Sequence, residues 1–356
     1  MDKAISFILC SRNDNYMGNP VGRLEIALNY LAENVRLLGR EKNVEVIVTD
    51  WGSQTPLRDA LNLNATASKI IRFLEVPVSV VKEVQKDSPF AEVIALNAAV
   101  RHASGQYIGR IDQDTLVGKR FLRMFFEWMD GKRNPAVDLD RVFLFSRRRE
   151  IPFAFASQNP SLDQVSSLIR WCGSMLVVET YYPHFLVGNP VGIMLLHRKI
   201  WEECGGYDER LIYWGWMEAD MAYRLQNKYP IVDLGSMVEN DFYHLEHYDP
   251  SLPRNTPRKM NPKITEGLSL FPNESAWGLI NYPLILQNYT GDKTTDDGMP
   301  RHSMELSRVS LVPATTAKVA RNHYARIIKY GKIGRAYRGI TQPTRYAEFF
   351  KRIFKC

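Results

Sequence analysis

The chain has 356 residues, 45% of them hydrophobic and 24% charged, which is the balance of a soluble globular protein with one large domain or a domain and an appendage. No apolar run approaches the ~18 residues that span a bilayer, and "MDKAISFILCSRND" carries no cleavage-site pattern behind its short apolar stretch, so a secretory leader is not expected. The net charge of +7 is concentrated at one end: residues 318–356 hold eleven Lys and Arg against one acid, Glu348, which leaves the rest of the chain slightly acidic.

In chain order, "AISFILCS" (4–11) reads as a strand buried on both faces. A helix is expected over 20–39, where Leu24, Leu28, Leu31, Val35 and Leu38 share one face between Pro20 and Gly39. "VEVIVTD" (44–50) is a second buried strand ending in the turn "DWGSQTP", and further apolar pieces lie near 70–74 and 78–81. A helix over 90–105 leads into the strand "QYIGRID" (106–112). Strands are expected at 141–148 and 191–198, a helix at 217–230, and short strand-like pieces in "IVDLG" and "DFYHLEHYD". Strands that are apolar on both faces and alternate with helices predict an α/β fold with a mostly parallel sheet. Ligands of such sheets bind beyond the carboxyl ends of the strands, where "CSRND", Asp50 and Asp112 fall. Residues 251–310 are rich in Pro, Asn and Asp, and the basic tail from 311 to 356 reads as partly helical.

Several groups of residues carry chemistry. In an extended segment Asp112 and Asp114 of "IDQD" project to one side, where two acids repel unless a cation lies between them; hard oxygen donors suit Mn²⁺ or Mg²⁺. Taken by itself the pair also reads as a polar turn, with Asp114 capping a helix after Thr115. "GGYDERLIYWGWMEADMAYR" (205–224) places Glu218 and Asp220 at a helix start, as a general base or as acids favoured by the helix dipole, with Asp220 and Arg224 spaced to pair. His244 and His247 in "FYHLEHYD" offer imidazole ligands or a structural role. No GxGxxG or GxxxxGK[ST] follows the early strands, which disfavours a dinucleotide fold and a P-loop. Cys10, Cys172, Cys204 and Cys356 lack CxxC spacing, so neither a zinc site nor a disulfide framework is expected and a reducing cytoplasm fits.

These pieces, in this order over roughly residues 3–250, resemble the GT-A glycosyltransferases, specifically family 2-like enzymes with a galactosyltransferase-type C-terminal half. "SFILCSRNDN" resembles their first strand and nucleotide loop, and "VEVIVTDWGS" the "VDDGS" strand. "ALNAAVRHASGQYIGRIDQD" is similar to the helix and strand that lead to their DxD motif. "GGYDERLIYWGWMEADMAYR" is similar to "GGFDE…WG…ED-x-D-x-x-x-R", and "YHLEH" lies where a metal-binding histidine is found. The resemblance implies a nucleotide-sugar-binding, Rossmann-like domain over 1–250, an acceptor-side extension over 251–310 and the basic tail. It implies donor contacts from Ser11, Arg12, Asn13, Asp50, Asn97, Asp112 and Trp214. A divalent ion, Mn²⁺ or Mg²⁺, is implied on Asp112, Asp114 and His244 or His247. Glu218 falls at the catalytic aspartate position with Asp220 in reserve, Met217 replaces the preceding acid, and Trp51 replaces the second acid of "VDDGS".

The implied reaction is transfer of a hexose or N-acetylhexosamine from a nucleotide sugar, UDP-linked, to a hydroxyl of a glycan or lipid-linked acceptor, with inversion expected from a single base and retention as the alternative. Trp214 and Trp216 are candidates for stacking on sugar faces. The tail 318–356 is a candidate for contact with the anionic inner face of a membrane, compatible with a cytoplasmic, peripheral protein. Rival classes are a sugar nucleotidyltransferase, whose Gly-rich first loop is missing from "CSRNDNYMGNP", a non-catalytic GT-A module, and a nucleic-acid-binding protein. The last is disfavoured because the charge sits in a tail and not along a groove.

Overall fold

The computed structural model describes residues 3–179, 187, 190–237, 239–248, 259–262 and 269–290. One compact unit comprises Met1–Asp292; a second, Lys293–Cys356, lies outside the described residues, and with it the expectations about the basic tail.

An eight-stranded sheet organises the first unit. In chain order the strands of the molecule are β1 (Ile5–Ser11), β2 (Val44–Trp51), β3 (Ile71–Val76), β4 (Tyr107–Arg110), β5 (Thr115–Val117), β6 (Phe143–Arg147), β7 (Arg149–Ile151), β8 (Val191–His197), β9 (Ile231–Asp233), β10 (Phe242–Leu245) and β11 (Leu286–Asn288). The large sheet runs β11-β3-β2-β1-β4-β8-β6-β9. β1, β2, β3 and β4 are mutually parallel, β8 and β11 run the other way, and β6 and β9 are parallel to each other. This is the expected mixed α/β arrangement with a mostly parallel sheet. The edge strand β11 lies within the stretch expected to be irregular, so the compact unit extends past residue 250.

The sheet is covered on both faces, which is why β1 and β2 read as unbroken apolar runs. Ile5, Phe7, Leu9, Val46 and Val48 face one core with the helices Pro20–Arg36 and Lys119–Met129. Ile8, Ile47 and Trp51 face the other with the helices Glu92–His102 and Met217–Leu225. The first helix buries the expected Leu24, Leu28, Leu31 and Val35 but ends at Arg36, leaving the expected Leu38 beyond it; Pro20 starts it and the Asn19 side chain accepts from Gly22 N at 3.0 Å. Among the described residues no helix is long and apolar enough to cross a membrane.

A second, three-stranded sheet, β5-β10-β7, stands beyond the carboxyl end of β4. β10 pairs antiparallel with β5, setting His244 opposite Thr115, and parallel with β7, setting His244 opposite Glu150. This small sheet brings segments far apart in sequence to the end of the parallel strands.

Candidate active site

The two aspartates of "IDQD" part company. β4 ends at Arg110, two residues earlier than expected, and Thr115 N donates to Asp112 O at 3.1 Å, so 112–115 is a turn. The turn breaks the two-residue alternation that would have aimed both carboxylates to one side. Nor does a helix follow Thr115: that residue opens β5.

Asp114 is buried and faces two imidazoles. His247 Nδ1 lies 3.1 Å from Asp114 Oδ2, and His244 Nε2 lies 3.6 Å from Asp114 Oδ1. The register explains the meeting, since His244 sits across from Thr115 and Leu245 N donates to Asp114 O at 3.2 Å. One ligand atom from each of Asp114, His244 and His247 lies within 4.8 Å of the others. Arg23 Nε stands 3.6 Å from Asp114, while its NH1 and NH2 hold the carbonyls of Met17 and Tyr16. Burial by itself would raise the Asp114 carboxyl; attraction to His244 and His247 outweighs it and holds the group well below the usual carboxylate range. Burial and the Arg148 charge work against a proton on His244, yet Asp114 and Glu179 carry its value up to about 9.

These residues fit a divalent ion. Among the described residues neither nitrogen of His244, nor Nδ1 of His247, has a hydrogen-bond partner, although each is buried. Buried imidazole nitrogens without partners are costly. Two imidazoles and a carboxylate form a donor set that suits a divalent first-row ion, without singling one out.

Asp112 has other company. Its Oδ1 is 2.7 Å from Arg110 NH2, and its Oδ2 accepts from Arg148 NH1. Two guanidiniums already neutralise it, so the structure places it beside the Asp114 cluster and not within it. Arg110, buried at the end of β4, also lies 2.7 Å from Glu92 and 3.3 Å from Glu218. Desolvation raises the Glu92 carboxyl to about 7; Arg110 opposes the rise, and Asp112 and Glu218 add to it.

Glu218 stands in the first turn of Met217–Leu225, which begins after Trp216 at φ 69° and Gly215 at φ 77°. A left-handed tryptophan is strained backbone of the kind concentrated at binding sites. Asp220 points inward instead. It is buried, and Arg224 Nε donates to it at 2.8 Å while the same guanidinium holds the carbonyls of Cys204, Gly206 and Leu270. The pair expected on the helix face is thus a core pair, and this geometry suits a structural role for Asp220 better than that of a reserve base. Trp214 is 48% exposed and its backbone is tied to Lys259 O and Asn261 N.

The expected nucleotide loop assembles at the carboxyl ends of β1 and β2. Asn13 N donates to Ser53 Oγ at 2.8 Å and Asn13 Nδ2 to Thr55 O at 3.1 Å, Ser11 Oγ donates to Gln113 of the "DQD" turn, and Arg12 pairs with Asp14 beside the Phe90 ring. Asp50 accepts from Leu57 N at 2.8 Å and from Ser53 N and Oγ. Both of its oxygens are therefore engaged in shaping the turn. A cavity of about 270 Å³ opens beside it, lined in part by Ser53, Glu75, Val78, Ile285 and Gln287. Asn97 lies elsewhere. It is fully buried, its amide donates to Tyr207 O and Glu209, and its oxygen accepts from Tyr207 N, so its bonding capacity is used in fastening the 205–209 turn to Glu92–His102.

Arg23, Glu92, Arg110, Arg148 and Glu179 were not among the residues read from the sequence. Arg110 did leave a signal, a lone charge inside the apolar strand "YIGRI". Glu179 left none, because chain pairing alone brings it in.

Residues 22–166 match the family model described as glycosyl transferase family 2. No curated protein sequence matches the chain. Among solved structures the chain is similar to Staphylococcus aureus TarS, at 12% identity and TM-score 0.41, covering 67% of this chain and 36% of that one. It is similar to a mannosyltransferase from Pyrobaculum calidifontis in complex with GDP-Man and Mn²⁺, at 14% identity and TM-score 0.35, covering 65% of this chain and 55% of that one. It is also similar to the catalytic domain of Drosophila beta1,4-galactosyltransferase 7 in complex with xylobiose, at 13% identity and TM-score 0.36, covering 71% and 77%. The matched part spans less than two thirds of the first two chains, and the likeness is distant. Residues 22–166, which carry most of the parallel half of the large sheet, are therefore similar to glycosyl transferase family 2.

Proposed function

We propose that the protein transfers a sugar from a nucleotide sugar, a UDP-linked hexose or N-acetylhexosamine, to a hydroxyl of a glycan or glycolipid in a divalent-metal-dependent reaction. The observation that carries this reading is the Asp114, His244 and His247 cluster beyond the carboxyl end of β4, with Asp112, Arg110 and Glu218 beside it. Asp114, His244 and His247 would hold Mn²⁺ or Mg²⁺, which when bound supplies charge stabilisation to a departing diphosphate. Glu218 takes the proton of the acceptor hydroxyl, held in place by Arg110. The loop of Ser11, Arg12 and Asn13 and the cavity beside Asp50 line the donor side, and the half-exposed Trp214 offers a stacking face for a sugar. One base acting opposite a held leaving group gives inversion at the anomeric carbon. The basic tail 318–356 suits an acceptor carried on an anionic membrane surface.

A panel of UDP-hexoses and UDP-N-acetylhexosamines, incubated with the protein and Mn²⁺ and followed by UDP release, tests the reading. Release from at least one donor, abolished by EDTA, is expected. No release from any donor, with or without glycan acceptors, would count against it.

A further inference from the structure

His244 stands between two carboxylates. Nε2 faces Asp114 Oδ1 at 3.6 Å, Nδ1 faces Glu179 Oε1 at 3.6 Å, and the side chain is 2% exposed. A neutral imidazole carries one proton, so one nitrogen donates and the other presents a lone pair. Both neighbours being acids, the ring alone does not decide which.

The surroundings do. Three ligand atoms converge on each side, those of Asp114, His244 and His247 on one and those of Glu179, His244 and Glu246 on the other, but only the Asp114 side adds a second imidazole, His247, whose Nδ1 is 3.1 Å from Asp114. On the other side Glu179 Oε2 accepts from Arg148 Nε, and Arg148 NH1 is spent on Asp112. Glu246, which groups with Glu179 and His244 among the described residues, accepts at one oxygen from His247 N and Tyr248 N, each at 2.8 Å. Arg148 hydrogen-bonds Glu179 directly, whereas Arg23 comes only to 3.6 Å from Asp114 with its NH1 and NH2 spent on the carbonyls of Met17 and Tyr16, so a cation gains more on the Asp114 side and the ring proton belongs on the Glu179 side.

We infer that Glu179 is a positioning residue of the metal site, accepting the Nδ1 proton of His244 and so leaving the Nε2 lone pair for the cation. The inference rests on the metal-dependent reading above. Outer carboxylates that fix a ligating histidine in this way are worth about 10–100-fold in metal affinity. The backbone supports the arrangement: Glu179 N donates to Arg148 O at 2.9 Å and Glu150 N to Val177 O at 2.8 Å, docking 177–179 along β7, the neighbour of β10. A small approach of the ring, about half an ångström, brings Nδ1 to hydrogen-bond length. Arg148 then holds Glu179 and Asp112 together, which gives Asp112 a supporting place behind the ligands.

Calorimetric titration of Mn²⁺ into the full chain tests this, using wild type, Glu179→Gln and Asp114→Asn. In Glu179→Gln the Arg148 N–H still demands an acceptor, so the amide oxygen turns to Arg148 and the amide NH₂ turns to His244. That pushes the ring proton onto Nε2 and blocks the lone pair. Weakening of Mn²⁺ binding by about 10–100-fold is expected for Glu179→Gln, and loss of binding for Asp114→Asn. A long-range ¹H–¹⁵N spectrum of wild type with Zn²⁺ as a diamagnetic probe should show His244 protonated at Nδ1 and coordinated at Nε2; this decides the matter even if Glu179→Gln fails to fold. Unchanged Mn²⁺ affinity in a folded Glu179→Gln, or an Nε2–H tautomer with the metal bound, would overturn the inference. So would Mn²⁺ binding that survives Asp114→Asn and vanishes in Glu179→Gln, because Glu179 would then itself be a ligand. No Mn²⁺ binding to wild type, with or without UDP, would sink the metal reading and the inference together, and it is told apart because the variant plays no part in it.

Discussion

Glu218 lies 3.3 Å from the Arg110 guanidinium, which also holds Glu92 and Asp112 at 2.7 Å each. Three acids from three separate segments thus meet on one buried cation, and the helix acid is tied through Arg110 and Asp112 to the Asp114 cluster. Glu218→Gln keeps the volume and removes the base. Turnover of the donor and acceptor pair should fall about 10²–10⁴-fold, with UDP affinity changed little. Steady-state kinetics beside a UDP titration checks this; a kcat within threefold of wild type would remove Glu218 from the reaction.

Asp220→Ala should behave differently. It leaves Arg224 buried without its acid, and breaking such a pair costs about 3–5 kcal/mol. Urea unfolding should show the loss, and the folded fraction should keep UDP binding near wild type. A fully stable, inactive variant would instead make Asp220 a reacting group.

Glu92 gives stability a pH dependence. Its folded-state value is about 7 against an ordinary 4.5. The folded chain therefore holds this proton more tightly than the unfolded chain. The contribution is fully present below about 4.5, fades as pH rises towards 7 and is level above that. Because 37% of the side chain is exposed, the size of the effect is modest. Glu92→Gln should gain melting temperature relative to wild type on going from pH 5 to pH 8; a difference that does not move with pH would contradict the assignment.

Gly206→Ala probes the fastening of the 205–209 turn. Gly206 has φ +72°, and an added Cβ would stand 2.2 Å from Asn97 Oδ1, the atom that accepts from Tyr207 N. Overpacking of this kind costs about 1–3 kcal/mol, and the left-handed backbone adds to it. Denaturant melts measure the cost; a loss below ~0.5 kcal/mol would mean the turn yields easily.

Much of this was legible in the sequence because the signals are local. The unbroken apolar runs of β1 and β2 announce strands covered on both faces, and the spacing of Leu24, Leu28, Leu31 and Val35 announces the helix that covers one of them. Asp114, His244 and His247 were nameable because each lies in or beside a short strand in a recognisable order. The parting of Asp112 from Asp114 was not, since it depends on where β4 stops and on a turn closed by one backbone bond. Asp50 and Asn97 read as donor contacts by their motif positions, but their partners, Ser53 and Leu57 for one and Tyr207 for the other, are set by how loops fold back. Glu179 is beyond sequence reading altogether, because its partner Arg148 is 31 residues away and the meeting is made by a bridge between two short segments.

Calorimetric titration of UDP into the protein, first with Mn²⁺ and then with EDTA, bears most directly on the donor site. Binding in Mn²⁺ that disappears in EDTA and in Asp114→Asn is the predicted result. UDP binding of equal strength in both conditions, or none in either, would contradict a metal-held nucleotide diphosphate at Asp114, His244 and His247.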